Sequence, residues 1–235
     1  MNNRTSFLDN IPPVTKNILI INVIMFLATV LIKNIDLNSL LGMHYWQASK
    51  FHPYQVITYM FMHAGFSHIF FNMFAVYMFG ALLERVWGTK KFLLYYLVSG
   101  IGAAFVQQLF WYIEFNNYFN ALNQAIVING AENVTYAISQ LNEVMNRAVT
   151  IGASGSVFGL LLAFGWLFPE EKLFLIFLPI PIKARWFVLF YGLAELFLGV
   201  AQFSGDNIAH FAHLGGMLFG LVLLLIWKKQ GKLYS

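Results

Sequence analysis

Ser154, within Gly152-Ala153-Ser154-Gly155, and His213, within Ala212-His213-Leu214-Gly215-Gly216, are a nucleophile and a base set among small residues. A serine hydroxyl attacks a carbonyl only once a neighbouring base takes its proton, and an imidazole is suited to take that proton and pass it on. Gly215 and Gly216 allow close helix contact beside the histidine, while Gly152 and Gly155 let the backbone turn sharply at the serine. Attack puts negative charge on oxygen, which needs donors already aimed at it. His68 and Asn72 are four apart, hence on one helical face, and both can donate. The amides of Ser154 and Ala153 join them if the serine opens a helix, whose first N–H groups are unpaired and carry positive partial charge. Phe158, one turn after Ser154, is placed to pack on the His213 ring. The chemistry described is hydrolysis through a serine nucleophile.

No acid completes a triad at this level. Asp206, seven residues before His213, is two turns away and near a span end, so a Ser154-His213 dyad is the simpler reading. The chain has no cysteine, which excludes a thiol nucleophile, disulfides and thiolate metal sites. No cofactor and no metal is implied, because no carboxylate or cysteine completes a ligand set around the histidines.

These groups must be positioned in lipid. Soluble domains are about 25% charged, whereas this 235-residue chain is 10% charged and 59% hydrophobic, with a mean hydropathy of +0.66. A hydrocarbon core of about 30 Å takes roughly 17 to 25 mostly apolar helical residues. Six candidates are present, at Asn17 to Ile32, Ser67 to Val86, Phe92 to Trp111, Ser154 to Phe168, Ala184 to Phe203 and Ile208 to Trp227. The expected fold is all-α, a polytopic membrane protein whose six-transmembrane-helix bundle forms one domain over residues 1–235. The fourth span is short, so its end is expected within protein rather than lipid. The first has a basic flank and no small-residue cleavage site, and reads as a retained anchor.

Positive charge gives the orientation, since short cytoplasmic loops carry the excess. With both termini cytoplasmic, eleven of the fourteen Lys and Arg residues, from Arg4 to Lys232, fall inside, and only Lys33, Lys50 and Arg147 fall outside. Spans two, four and six then run inward, with His68, Asn72, Ser154 and His213 all near their outer ends, in a layer within roughly 10 Å of the outer surface.

Three connections stand out. Residues 33–66 are too aromatic for a plain linker, and Tyr45, Trp46, Phe51, Tyr54 and Tyr59 suggest a partly embedded structure at the outer interface. The external insertion 115–149 is polar, yet Tyr136, Ile138, Leu141, Val144 and Met145 recur at helical spacing, which predicts an amphipathic helix. Pro179 and Pro181 mark 169–183 as a cytoplasmic hairpin or re-entrant turn.

Phe61-Met62-His63 with His68 and Asn72, then Gly152-Ala153-Ser154-Gly155, then Ala212-His213-Leu214-Gly215-Gly216, resembles in order and placement the rhomboid family of intramembrane serine proteases. The resemblance runs from Phe51 to about Trp227. It implies a six-helix bundle, a Ser154-His213 dyad, an oxyanion site using His68 and Asn72, and cleavage of single-span membrane proteins near the outer face. The expected partners are therefore transmembrane protein substrates and the lipid bilayer, with no nucleic acid. The chain departs from the pattern in its long 115–149 segment and in having Tyr54-Gln55 where some members carry a Trp-Arg pair, which bears on substrate access. A bacterial inner membrane is the expected setting.

Structural readings stand beside these. Gly155 and Gly159 form a GxxxG packing pattern. His63 and His210 read as hydrogen-bonders that fix their surroundings, and His44 and His52 as loop residues. Glu84 is expected to be a structural hydrogen-bonder at the end of span two. Glu195, costly at bilayer depth, reads as structural, either protonated or bonded to Gln107 or Gln108. Two other functions use the same residues: a proton-linked transporter relaying through His68, His213 and Glu195, disfavoured by the lack of inverted repeats, and a non-catalytic protein that binds membrane helices.

Overall fold

Helix α1 (Pro13–Leu31) starts with proline at its first position, where the missing N–H costs nothing, and leaves Ile20, Ile24, Leu27 and Leu31 facing outward. The computed structural model describes residues 10–129, 134–175, 178–202 and 208–234. Arg4 and Asp206, which entered the sequence analysis, lie outside them.

The chain then enters the connection at 33–66, which contains α2 (Leu37–Leu41), β1 (Met43–His44) and α3 (Gln55–Thr58). A second crossing runs over Phe66–Trp87, as α4 (Phe66–Ala75), one widened π turn (Val76–Gly80) and α5 (Ala81–Trp87). Next come α6 (Thr89–Asn129), α7 (Val134–Arg147), β2 (Val149–Thr150) and α8 (Ser154–Leu167). A short hairpin, β3 (Lys172–Leu175) and β4 (Leu178–Lys183), leads to α9 (Ala184–Ala201) and α10 (His210–Lys229).

The protein is mostly helical, with two small antiparallel strand pairs added to the expected all-α fold. Among the described residues five helices are long and apolar enough to cross a membrane, and Ser154–Leu167 is a shorter apolar helix. That short helix is the centre of the molecule. Eleven of its residues are buried, and it packs against α6, α9 and α10; a helix apolar all round is one enclosed by others.

Small residues set these contacts. A Cβ on Gly155 would strike the Ala103 side chain at 2.4 Å, one on Gly159 would strike Ser99 at 2.3 Å, and one on Gly220 would meet the Tyr95 hydroxyl at 2.4 Å. Where lipid supplies no hydrophobic drive between helices, such close approach is what holds them together. Hydrogen bonds add register, with Tyr95 donating to the Gly159 carbonyl (2.8 Å) and Ser156 donating to the Tyr96 carbonyl (2.8 Å). At the opposite end Glu84 behaves as expected of a structural group. It accepts from Val14 N (3.0 Å), Thr15 N (2.8 Å) and Thr15 Oγ1 (2.8 Å), which satisfies the start of α1.

Two expectations need correction. The helix of the third span does not stop at Trp111 but continues to Asn129, because no glycine or proline interrupts residues 103–129 and polar side chains such as Asn116 and Asn117 do not break a helix; its apolar candidate span is Thr89–Asn117. At 41 residues the helix is about 60 Å long, well beyond a hydrocarbon core. The amphipathic helix in 115–149 is α7, but its inward stripe is Leu141 and Met145, while Ile138 and Val144 are exposed.

Candidate active site

The segment that delivers Ser154 is anchored on both sides. Strand β2 pairs antiparallel with β1, Met43 opposite Thr150 and His44 opposite Val149, which ties the approach to α8 onto the 33–66 connection. That connection is held by two glutamines. Gln55 accepts from His44 N and His52 N and donates to the Leu40 and Lys50 carbonyls. Gln108 of α6 accepts from Trp46 N (3.0 Å) and donates to the His44 carbonyl (2.7 Å). His44 is thus fully buried rather than an ordinary loop residue, and of the expected aromatics Tyr45 and Tyr59 are buried while Trp46 and Tyr54 are exposed. Tyr59 donates to the Gly100 carbonyl (2.6 Å) and accepts Gly152 N on its own carbonyl (2.9 Å); burial raises its phenol pKa.

Gly152 then takes φ +128°, a conformation side chains rarely adopt, and turns the chain into α8. A Cβ there would lie 2.7 Å from His68 Nε2 and 3.6 Å from Ser154 Oγ, so the glycine leaves room for the imidazole of α4 beside the serine. Ala153 is fully buried, and its carbonyl accepts Val157 N (3.0 Å), the first bond of the helix. The amides that follow have no partner inside the helix and point toward the serine's end of it.

His213, the fourth residue of α10, reaches Ser154: its Nε2 is 2.8 Å from Ser154 Oγ. Phe158 stacks on the His213 ring at 4.2 Å between centroids and 10° between planes. The two helices meet at glycines, since a Cβ on Gly216 would fall 1.9 Å from the Gly155 carbonyl oxygen, while one on Gly215 would fall 2.7 Å from Val106 of α6. Ser154 itself is half-buried, so a reacting carbonyl can reach it.

On the oxyanion side, His68 and Asn72 occupy one face of α4, with Asn72 Nδ2 donating to the His68 carbonyl (2.9 Å). His68 Nδ1 accepts from Ala64 N at 3.4 Å, which leaves Nε2 directed at Gly152. His63 lies beside this pair, just before α4. Its ring is buried and meets His68 edge-on at 4.9 Å, and burial first, then the neighbouring His68, lowers its pKa to about 4.

Sequence reasoning missed the partner of His213 Nδ1. Glu195 of α9 is not bonded to Gln107 or Gln108. Its Oε2 lies 2.9 Å from His213 Nδ1 and 2.6 Å from His210 Nδ1, all three side chains being buried. Span ends held the signal. In the sequence, span five ends and span six opens at one membrane face, whichever way the chain is oriented. Counting from residues 203 and 208 puts Glu195 about 12 Å and His213 about 8 Å from it, within one helical turn of each other. The carboxylate thought lacking from a metal ligand set is also supplied here, with ligand atoms of Glu195, His210 and His213 within 4.8 Å of one another. Separations of 2.6 and 2.9 Å are nevertheless those of hydrogen bonds, since ligand atoms around a tetrahedral zinc stand about 3.3 Å apart.

The rhomboid domain matches residues 50–230. Similar proteins include RHOMBOID-like protein 6, mitochondrial, of Arabidopsis thaliana, 28% identical over 75% of this chain and 44% of that protein. They also include the putative rhomboid protease YdcA of Bacillus subtilis, 28% identical over 75% of this chain and 69% of that protein. The rhomboid protease AarA of Providencia stuartii is 23% identical over 72% of this chain and 53% of that protein. The chain spans about half the length of most of the curated relatives it matches. With the matched region running from the connection before the second crossing through the last helix, this multi-pass integral membrane protein belongs to the rhomboid family.

Proposed function

We propose that this protein is an intramembrane serine endopeptidase, with Ser154 as nucleophile and His213 as general base and acid. The observation that carries the reading is the 2.8 Å approach of His213 Nε2 to Ser154 Oγ at the crossing of two membrane helices. The relatives named as rhomboid proteases support the same chemistry. As Oγ attacks the scissile carbonyl, its proton passes to Nε2 and then to the leaving amine, giving an acyl-enzyme that water hydrolyses by the same steps. The developing oxyanion is received by the Ser154 amide, the Ala153 amide, His68 Nε2 and the Asn72 amide group.

The proposal extends to setting and substrate. Both termini are cytoplasmic, as the distribution of Lys and Arg favours, and the shorter apolar helix Ser154–Leu167 joins the five long ones as the fourth of six spans in chain order. Substrates are transmembrane proteins cleaved near the outer face, where their helices unwind to present a carbonyl. The relatives in Bacillus and Providencia support a bacterial cell membrane; the mitochondrial relatives make an organellar one the alternative, which membrane fractionation distinguishes.

The test is cleavage of a single-span reporter by the purified protein in liposomes. Wild type should release two fragments, and Ser154→Ala should release none while keeping its thermal unfolding midpoint. Cleavage by the Ser154→Ala protein refutes the assignment.

A further inference from the structure

We propose that Glu195 is a positioning residue that makes the Ser154-His213 pair a three-member relay, anchored from behind by His210. This rests on the serine-histidine reading above and adds a role that the dyad leaves empty.

A neutral imidazole ring carries one proton, and Ser154 can give up its own only if Nε2 is the bare nitrogen. Phe158 fixes the plane of the His213 ring but says nothing about which nitrogen holds the proton. Glu195 decides that, because a carboxylate oxygen accepts and never donates, and Oε2 sits 2.9 Å from Nδ1. The proton is thereby held on Nδ1, and the lone pair of Nε2 faces Ser154 Oγ at 2.8 Å. When the serine proton arrives, the ring becomes a cation beside a carboxylate. That is the arrangement by which an acid behind a catalytic histidine acts without itself taking the proton.

His210 explains how a carboxylate survives there. An unpaired acid at membrane depth costs several kcal/mol, and here one oxygen receives two N–H groups, from His210 at 2.6 Å and from His213. The two histidines are three apart on α10, so they share the face turned to α9. A residue serving only as interhelical packing would not need an acceptor aligned on the nitrogen opposite the serine. His210 also borders a cavity of about 250 Å³ lined by Gln107, Glu114 and Gln202, so the anchor can exchange protons with water. The titratable groups that face this cluster are His210 and His213 of α10, Tyr191 one turn earlier on α9, Glu114 of α6 across the cavity, and His68 of α4 beyond the serine.

The experiment compares wild type with Glu195→Gln, Glu195→Asp and Ser154→Ala in liposomes, following reporter cleavage between about pH 5 and 9. Glu195→Gln should lower kcat by on the order of 10²-fold or more with KM little changed, as loss of the orienting acid does in serine proteases. Glu195→Asp should recover part of the rate. A glutamine variant with an unchanged unfolding midpoint and kcat within about threefold of wild type overturns the proposal. Should Glu195→Gln not fold, the nitrogen-15 spectrum of wild-type His213 decides: an Nδ1–H ring supports the relay, and an Nε2–H ring overturns it. Cleavage by Ser154→Ala sinks the serine reading itself, whereas an inactive Ser154→Ala beside a fully active Glu195→Gln sinks only the role of Glu195.

Discussion

Gly216→Ala should disable the site without touching any reacting group. Gly216 lies on α10 three residues after His213, and Gly155 follows Ser154 on α8, so the closest approach of the two helices is beside the reacting pair. The added Cβ would lie 1.9 Å from the Gly155 carbonyl oxygen and 2.7 Å from its carbon, both backbone atoms that no rotamer change can move. Real Cβ atoms essentially never come within 3.0 Å of a neighbour, so the helices must part by at least the difference, about 1.1 Å. Passed on to the pair, that opening lengthens Ser154 Oγ to His213 Nε2 from 2.8 Å to about 3.9 Å, beyond hydrogen-bonding distance. A misplacement of about 1 Å costs on the order of 10²-fold in rate, and overpacking costs about 1–3 kcal/mol in stability. The assay is kcat for reporter cleavage together with the thermal unfolding midpoint. Gly65→Ala is the control, since its backbone is extended at φ −176° and a Cβ there meets nothing within 4 Å. A Gly216→Ala protein with wild-type kcat and midpoint would show that the crossing does not hold the pair.

Three further outcomes are expected. His68→Ala should reduce kcat by on the order of 10²-fold while leaving KM nearly unchanged, measured on the same reporter, because an oxyanion donor acts mainly in the transition state; an effect confined to KM contradicts this. Glu84→Ala should lower stability by about 1–3 kcal/mol in denaturant unfolding, since Val14 N, Thr15 N and Thr15 Oγ1 lose their acceptor. His63 should make the fold acid-sensitive. Its pKa is near 4 in the protein against 6.5 when unfolded, so from about pH 6.5 down to 4 the unfolded chain binds a proton that the fold refuses. Stability is complete above pH 6.5 and falls by up to about 3 kcal/mol toward pH 4. Unfolding midpoints of wild type and His63→Gln compared at pH 7 and 5 check this, and parallel curves count against it.

What could be read from the sequence was local chemistry and the period of apolar residues. Ser154, His213 and Phe158 were legible because glycine spacing and a one-turn offset fix where they stand, and the structure brings all three into contact. Five long apolar helices were legible from hydropathy, except where a helix outlasts its apolar stretch, as α6 does past Trp111. Contacts that join distant segments through single polar atoms were not legible. Gln108 holds the connection before span two across 62 and 64 residues, and two-residue strands such as β1 and β2 carry no periodicity at all. Glu195 lies between these cases. Its type marked it as costly in lipid, and the few residues between spans five and six put it near the depth of His213, yet only coordinates show which nitrogen it faces.

The most direct test of the account is to map, by mass spectrometry, the adduct that a fluorophosphonate forms with the purified protein in liposomes. The account predicts one modified peptide carrying the phosphonyl group on Ser154, formed quickly in wild type and at most slowly in His213→Ala. An adduct on another residue, or one formed on Ser154 at the wild-type rate without His213, would contradict it.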